Sequence, residues 1–162
     1  MRFFEKISYE QFKKDIADDL ELYNSYELPK RSTKDSAGYD IKSLSNEIIK
    51  PGESKIFNTG VKVCMNSDEV FYLYTRSSIG YKYNVTLANS VGVIDSDYYN
   101  NPTKEGHFKI KLINHGDKDF VINIGDKIAQ GVFMKYLVVD DEKEINATRI
   151  GGIGSTNRRE NI

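Results

Sequence analysis

Tryptophan is absent from this 162-residue chain, proline occurs three times, and cysteine and histidine are scarce, at one and two residues. A single cysteine, Cys64, cannot close an intrachain disulfide or furnish a Cys-rich metal site. It lies in the apolar run VKVCM, which predicts a small buried residue with no activator for thiol chemistry nearby. With His107 and His115 as the only histidines, neither a zinc cluster nor a Ser-His-Asp triad is supported, and both read as ordinary polar positions. Charge of one sign is also missing. The chain has 23 Lys and Arg against 24 Asp and Glu, a net charge of −1. That balance lacks the basic stripe of a nucleic-acid binder, so no nucleic-acid partner is expected. It still allows a phosphate-bearing ligand, for which a few placed Arg or Lys side chains suffice. No hydrophobic run reaches bilayer length, and MRFFEKISYE carries charges where a secretion signal needs an apolar stretch. The expectation is a soluble, cytoplasmic protein with no membrane partner.

What the chain does have is aromatic and β-branched residues. Phe and Tyr number 8 and 11, and hydrophobic residues make up 39%, enough for one core in a chain of one-domain length. Residues 3–26 carry a helical pattern: SYEQ opens like a capping box with Gln11 three residues after Ser8. Phe12, Ile16, Leu20 and Tyr23 then recur at helical spacing, and Pro29 ends the segment, giving an N-terminal helical unit over residues 1–28. From Gly38 onward the pattern becomes short runs such as KIFNTGVKVCM, VFYLYT, HFKIKLIN and IAQGVFMKYLVV, separated by turn clusters such as KPGES and NHGDKD. Many short strands without intervening helices predict an all-β sandwich or barrel. The last stretch, ATRIGGIGSTNRRENI, is too Gly-rich to hold a shape alone and reads as a flexible tail over residues 148–162, idle or ordered by a ligand.

Several short segments carry candidate chemistry. In GVIDSDYYNN, an apolar strand end is followed by Asp95 and Asp97, then Tyr98 and Tyr99. Aspartate is a common turn former, so a catalytic acid and an ordinary turn are both open there. TRSSIGYK places Arg76, Ser77 and Ser78 at a strand end, a planar donor fork beside two hydroxyls that suits phosphate oxygens. In IGDKIAQ, Gln130 enters an apolar strand after a Gly-Asp turn. GGIGST can wrap backbone N–H groups and two hydroxyls around an anion, but no lysine or helix follows as a P-loop requires.

Taken in order, SAGYDI (residues 36–41), RSSIGYK (76–82), NSVGVIDSDY (89–98), GDKIAQ (125–130) and RIGGIGST (149–156) resemble the motif series of the trimeric dUTPase family, the dUTP nucleotidohydrolases. The resemblance covers nearly everything after Leu28 and marks residues 29–147 as a dUTPase-like β domain. It implies a jelly-roll-like fold and a homotrimer whose active sites are each built from three chains, the tail of one closing over a nucleotide held by the others. It also implies hydrolysis of dUTP to dUMP and pyrophosphate by water attack on the α-phosphorus, with Mg²⁺ on the phosphates. The outcome would be to limit uracil incorporation into DNA and to supply dUMP for thymidylate synthesis. By position, the resemblance makes Asp95 the residue that orients and deprotonates water, and Tyr98 the one that packs on deoxyribose. Residues 89–95 would form a hairpin that reads uracil, with Asn89, Val93 and Ile94 against the base. Arg76, Ser77, Ser78 and Gln130 would hold the phosphates, with Asp40 supporting the metal-water network. From the tail, Arg149, Gly154, Ser155 and Thr156 would bind phosphates while Ile153 covers the base.

The sequence also departs from the family pattern. Ile153 stands where an aromatic residue usually covers the uracil, and Arg149 is one residue closer to the glycine pair than usual. YNNPTKE intervenes between Tyr98 and Gly106 as a short inserted loop, and Thr75 replaces a usual proline. Three other readings stand beside the hydrolase: a dCTP deaminase of the same fold, a dUTP-responsive regulator with vestigial catalysis, and a structural jelly roll. The N-terminal helix lies outside the resemblance.

Overall fold

The computed structural model describes residues 1–153. The chain begins with strand β1 (Phe3–Lys6), then helices α1 (Tyr9–Asp15) and α2 (Leu20–Ser25). Short strands follow: β2 (Lys30–Arg31), β3 (Tyr39–Lys42), β4 (Glu47–Ile49), β5 (Ser54–Asn58), β6 (Val61–Cys64) and β7 (Glu69–Tyr74). Helix α3 (Ser77–Tyr83) precedes β8 (Val85–Leu87) and β9 (Gly92–Asp95), and a 3-10 turn (Ser96–Tyr98) leads on to β10 (Lys109–Asn114), β11 (Phe120–Ile122) and β12 (Lys127–Lys135). The recorded strand pairs are antiparallel. The largest sheet runs β2-β3-β12-β7-β9, and a second runs β5-β10-β8, an all-β jelly-roll arrangement with small helices at its margin.

Alternation drives the packing. In KIKLIN of β10, Ile110, Leu112 and Asn114 point inward while Lys109, Lys111 and Ile113 point outward, the period of two expected of a half-buried strand. The core collects Phe57, Phe71, Ile110, Leu112, Ile122 and Ile128. Phe12 of α1 is fully buried within it and stacks on Tyr26, so the N-terminal segment shares this core.

Three local expectations differ from what forms. The N-terminal periodicity does not make one helix. Phe3–Lys6 instead pairs with β6, extending that strand, and the helical part breaks in two because Asp19 caps a new start by accepting from the Leu22 N–H. Ser8 does cap α1, its hydroxyl accepting from the Gln11 N–H at 3.1 Å. A helix also intervenes after VFYLYT: Ile79 buries one face of α3, and Asn84 in the left-handed region stops it. Cys64 is half-buried rather than buried, because it closes a two-stranded edge ribbon opposite exposed Phe3.

Candidate active site

The segment 85–95 is an arch and not a simple hairpin. Its first arm, β8, pairs with β10, while its second, β9, pairs with β7 in the other sheet. Ser90 adopts a left-handed φ of 63° to make the turn, and Asn89 sits exposed at its tip. Ile94 is buried, whereas Val93 faces outward. The arch walls a pocket of about 520 Å³, lined among others by Asn89, Val93, Ile94, Asp95 and Tyr98, a volume within the usual range for small-molecule sites.

Asp95 ends β9 as the residue before the 3-10 turn, yet its side chain makes no capping bond. The ordinary turn role is therefore not what it does. Its Oδ2 instead accepts from Arg149 Nη2 at 2.5 Å, and Asp97 Oδ1 accepts from Arg149 Nε at 2.7 Å. Tyr98 follows, its ring against the core cluster and its hydroxyl donating to the His107 carbonyl at 3.0 Å. Burial raises the Tyr98 pKa, with a further push from Asp15, so its proton stays on.

A second polar cluster forms around Asp40, which is buried on β3. Its carboxylate pairs with Arg76 Nε at 3.0 Å and Lys127 Nζ at 2.7 Å, and accepts from the Ser32 hydroxyl. Burial pushes the Asp40 carboxyl up, but Lys127, Ser32 and Arg76 together hold it below the usual carboxylate range. Gln130 of β12 stands opposite Asp40 in the register. Its side chain lies over Gly38, where an added Cβ would meet Oε1 at 2.3 Å, so the glycine of AGYD makes room for the glutamine of IAQ. Ser77 and Ser78 are exposed in the first turn of α3 beside Arg76.

The two clusters do not meet within one chain. Asp95 faces Val70 near the start of β7, while Arg76 lies two residues past the strand's end at Tyr74. Six extended residues span about 20 Å, too far for both side chains to reach one phosphorus atom. The tail behaves differently. Arg149, Gly152 and Ile153 line the pocket of their own chain, and a Cβ on Gly152 would meet the Tyr98 hydroxyl at 2.8 Å. Gly154, Ser155 and Thr156 lie outside the described residues.

Among the described residues no group of three His, Cys, Asp or Glu side chains is placed to hold a metal ion. Asp95 and Asp97 face Arg149, and Asp40 is committed to two cations. A hard divalent ion would need oxygens brought by a ligand and by water, which is the mode that Mg²⁺ favours.

No local pattern marks Lys104, His107 and Lys109 as pocket residues, or Ser32 and Lys127 as partners of Asp40. Their signal is only long-range: Ser32 and Lys127 are 95 positions apart and hydrogen-bond at 2.6 Å.

A sequence profile described as dUTPase matches residues 24–157. A deoxyuridine 5'-triphosphate nucleotidohydrolase from Lactococcus lactis subsp. lactis is 50% identical over 130 residues, covering 80% of this chain and 87% of that protein. A crystal structure of dUTPase from Streptococcus mutans superposes with a TM-score of 0.69 at 40% identity, covering 85% of this chain and 98% of that one. A mutant dUTPase from phage phi11 of S. aureus, whose structure details coordination of a structural Mg(II) ion, shares the fold with a TM-score of 0.65 at 21% identity, over 91% and 97% of the two chains. The profile spans most of the chain and one relative matches half of its aligned positions, so this protein belongs to the dUTPase family.

Proposed function

We propose that this protein hydrolyses dUTP to dUMP and pyrophosphate in the cytoplasm, with Asp95 as the general base that aligns water on the α-phosphorus. The observation that carries the assignment is a carboxylate lining the pocket, free of backbone capping, one 3-10 turn from the half-buried Tyr98 ring. The arch suits the base, because its exposed tip, residues 89–91, joins strands of two different sheets and Asn89 lines the pocket. Tyr98 packs against the deoxyribose and leaves no space for a 2′-hydroxyl. Arg76, Ser77, Ser78 and Gln130 take the phosphates, with Asp40 orienting Arg76. Arg149 and the tail residues Gly154, Ser155 and Thr156 add donors to the phosphates, and Ile153 covers the base.

Positioning dominates phosphoryl transfer, so the residues serve mainly to align water and neutralise charge. Mg²⁺ on the triphosphate, when bound, lowers the charge that a nucleophile must approach. The spacing of about 20 Å between the Asp95 and Arg76 clusters supports sites shared between subunits of a homotrimer, since only another copy can bring Arg76 to Asp95. Family membership does not favour dCTP deamination or a regulator with vestigial catalysis.

The test is to mix purified protein and Mg²⁺ with dUTP, dCTP, dTTP or UTP and measure pyrophosphate and ammonia. Pyrophosphate from dUTP alone is expected. Ammonia from dCTP, or no turnover at all, would overturn the reading.

A further inference from the structure

Two pieces of this chain have no place in the proposed reaction: residues 1–23, which precede the matched segment, and the loop inserted after Tyr98. In the fold they bind each other. Glu105 of the loop accepts from the Ser8 N–H at 2.9 Å and from the Ser8 hydroxyl at 2.5 Å, holding the start of α1. The Tyr99 hydroxyl donates to Glu5 at 2.6 Å. Lys62 donates to Asn100 at 2.8 Å and also faces Glu5 and Glu105, so one largely buried cation ties both pieces to β6.

This assembly ends on Tyr98 from two sides. Asn101 is buried; its Oδ1 accepts from the Lys104 N–H at 3.0 Å, and its Nδ2 donates to the Tyr98 carbonyl at 2.8 Å. Gly106 turns the loop back at φ 86°, where a Cβ would strike that same carbonyl at 2.7 Å. His107 comes next and is 1% exposed. Its Nε2 accepts from the Gly60 N–H at 2.9 Å, so its proton is on Nδ1, which donates to Asp15 Oδ2 at 2.6 Å. The His107 carbonyl receives the Tyr98 hydroxyl. A continuous path therefore runs from the end of α1 through His107 to the ring in the pocket.

We infer that Asp15 and His107 are positioning residues that set sugar selectivity through Tyr98, and that the N-terminal segment and the inserted loop together brace this gate. The inference rests on the dUTPase reading. A gate that rejects a 2′-hydroxyl by contact works only while it cannot yield, because one oxygen needs little displacement to be admitted. The path fixes the ring hydroxyl and Asn101 fixes the ring's backbone, leaving Tyr98 no direction in which to retreat.

The experiment measures kcat/KM for dUTP and for UTP in the wild type, Asp15→Ala, Tyr98→Phe and the double variant, with Asp15→Asn and Phe12→Leu alongside. Asp15→Ala is expected to lower the dUTP-to-UTP ratio about tenfold, within the range that one small group contributes to discrimination. Its kcat for dUTP is expected to stay within about threefold. In the Tyr98→Phe background the same change should lower the ratio no further, because the linking hydroxyl is gone. Asp15→Asn retains an acceptor for His107 Nδ1–H and should restore most of the ratio. Phe12→Leu should lower Tm and leave the ratio unchanged. An unchanged ratio in Asp15→Ala, an equal drop in the Tyr98→Phe background, or an equal drop from Phe12→Leu would overturn the brace. If Asp15→Ala does not fold, the pair Ser8→Ala and Glu105→Gln cuts the brace at its exposed end and must lower the ratio for the inference to stand. A wild type that fails to prefer dUTP over UTP would sink the hydrolase reading instead.

Discussion

One guanidinium spans both acids that follow β9: Arg149 Nη2 lies 2.5 Å from Asp95 Oδ2, and its Nε lies 2.7 Å from Asp97 Oδ1. The tail arginine thus neutralises the proposed base, and a triphosphate must draw it away from the carboxylates to gain it as a phosphate ligand. Asp97 is 55% exposed, so its share of this hold is that of a surface pair, about 0–1 kcal/mol. Asp97→Asn should therefore lower KM for dUTP by a factor of up to about five, with kcat little changed. Steady-state kinetics at low and high salt check this, and the difference should shrink as salt rises.

Asp95→Asn keeps the shape of the side chain and removes its capacity to accept a proton. Turnover should fall by about 10²–10⁴, the usual contribution of a general base, while dUTP affinity stays within about threefold. Single-turnover kinetics with a binding isotherm on the same protein separate the two effects. A near-normal kcat would remove Asp95 from the base role.

Shared sites predict complementation. Asp95→Asn and Arg76→Ala should each be nearly inactive alone, because each damages one half of every site. Refolded together in equal amounts, they should regain roughly a quarter of wild-type activity if, as proposed, a site joins one half from each of two chains. Two inactive proteins that stay inactive after verified subunit exchange would place both residues in one chain's site.

Stability should fall in mild acid because of His107. Burial lowers its pKa below the ordinary value of about 6.5 and outweighs the upward pull of Asp15, with Lys104 and Lys109 adding repulsion to a protonated ring. The unfolded chain therefore takes up the proton first as pH falls. The stabilisation is complete above about pH 6.5 and is lost progressively below it. Asp15 acts in the same direction at lower pH. Burial raises its carboxyl, yet the hydrogen bonds from His107 and Gln11 hold it below the ordinary range, so its contribution is lost only below about pH 4. Thermal unfolding from about pH 7.5 to pH 5.5 should show a falling Tm. In His107→Gln the Tm should start lower and change less.

The fold was legible where short segments are rich in β-branched and aromatic residues. KIKLIN of β10 and VFYLYT of β7 announce strands by that content, and β10 also alternates in burial while β7 buries Val70 and Phe71 in succession. Helix α3 was not legible, since SSIGYKY holds just one inward apolar residue, Ile79, and its end depends on Asn84 taking a left-handed conformation. The N-terminal break was hidden for a similar reason. Ile16 and Leu20 keep helical spacing across residues 16–19, but the cap at Asp19 restarts the chain between them.

The sequence by itself determined the family, the all-β character and the identity of Asp95, Tyr98, Arg76 and Gln130 as the polar residues worth following. These are properties of local pattern and motif order, which survive without coordinates. Tertiary structure decided their company. It separated the Asp95 and Arg76 clusters along β7, drew Lys127 and Ser32 to Asp40, and put Arg149 across both acids. It also joined the two segments that the motif order left unexplained, with Asp15 and His107 meeting across 92 positions of chain. A hydrogen bond between residues that far apart leaves no periodic trace in the sequence, because only the closed core brings its donor and acceptor together.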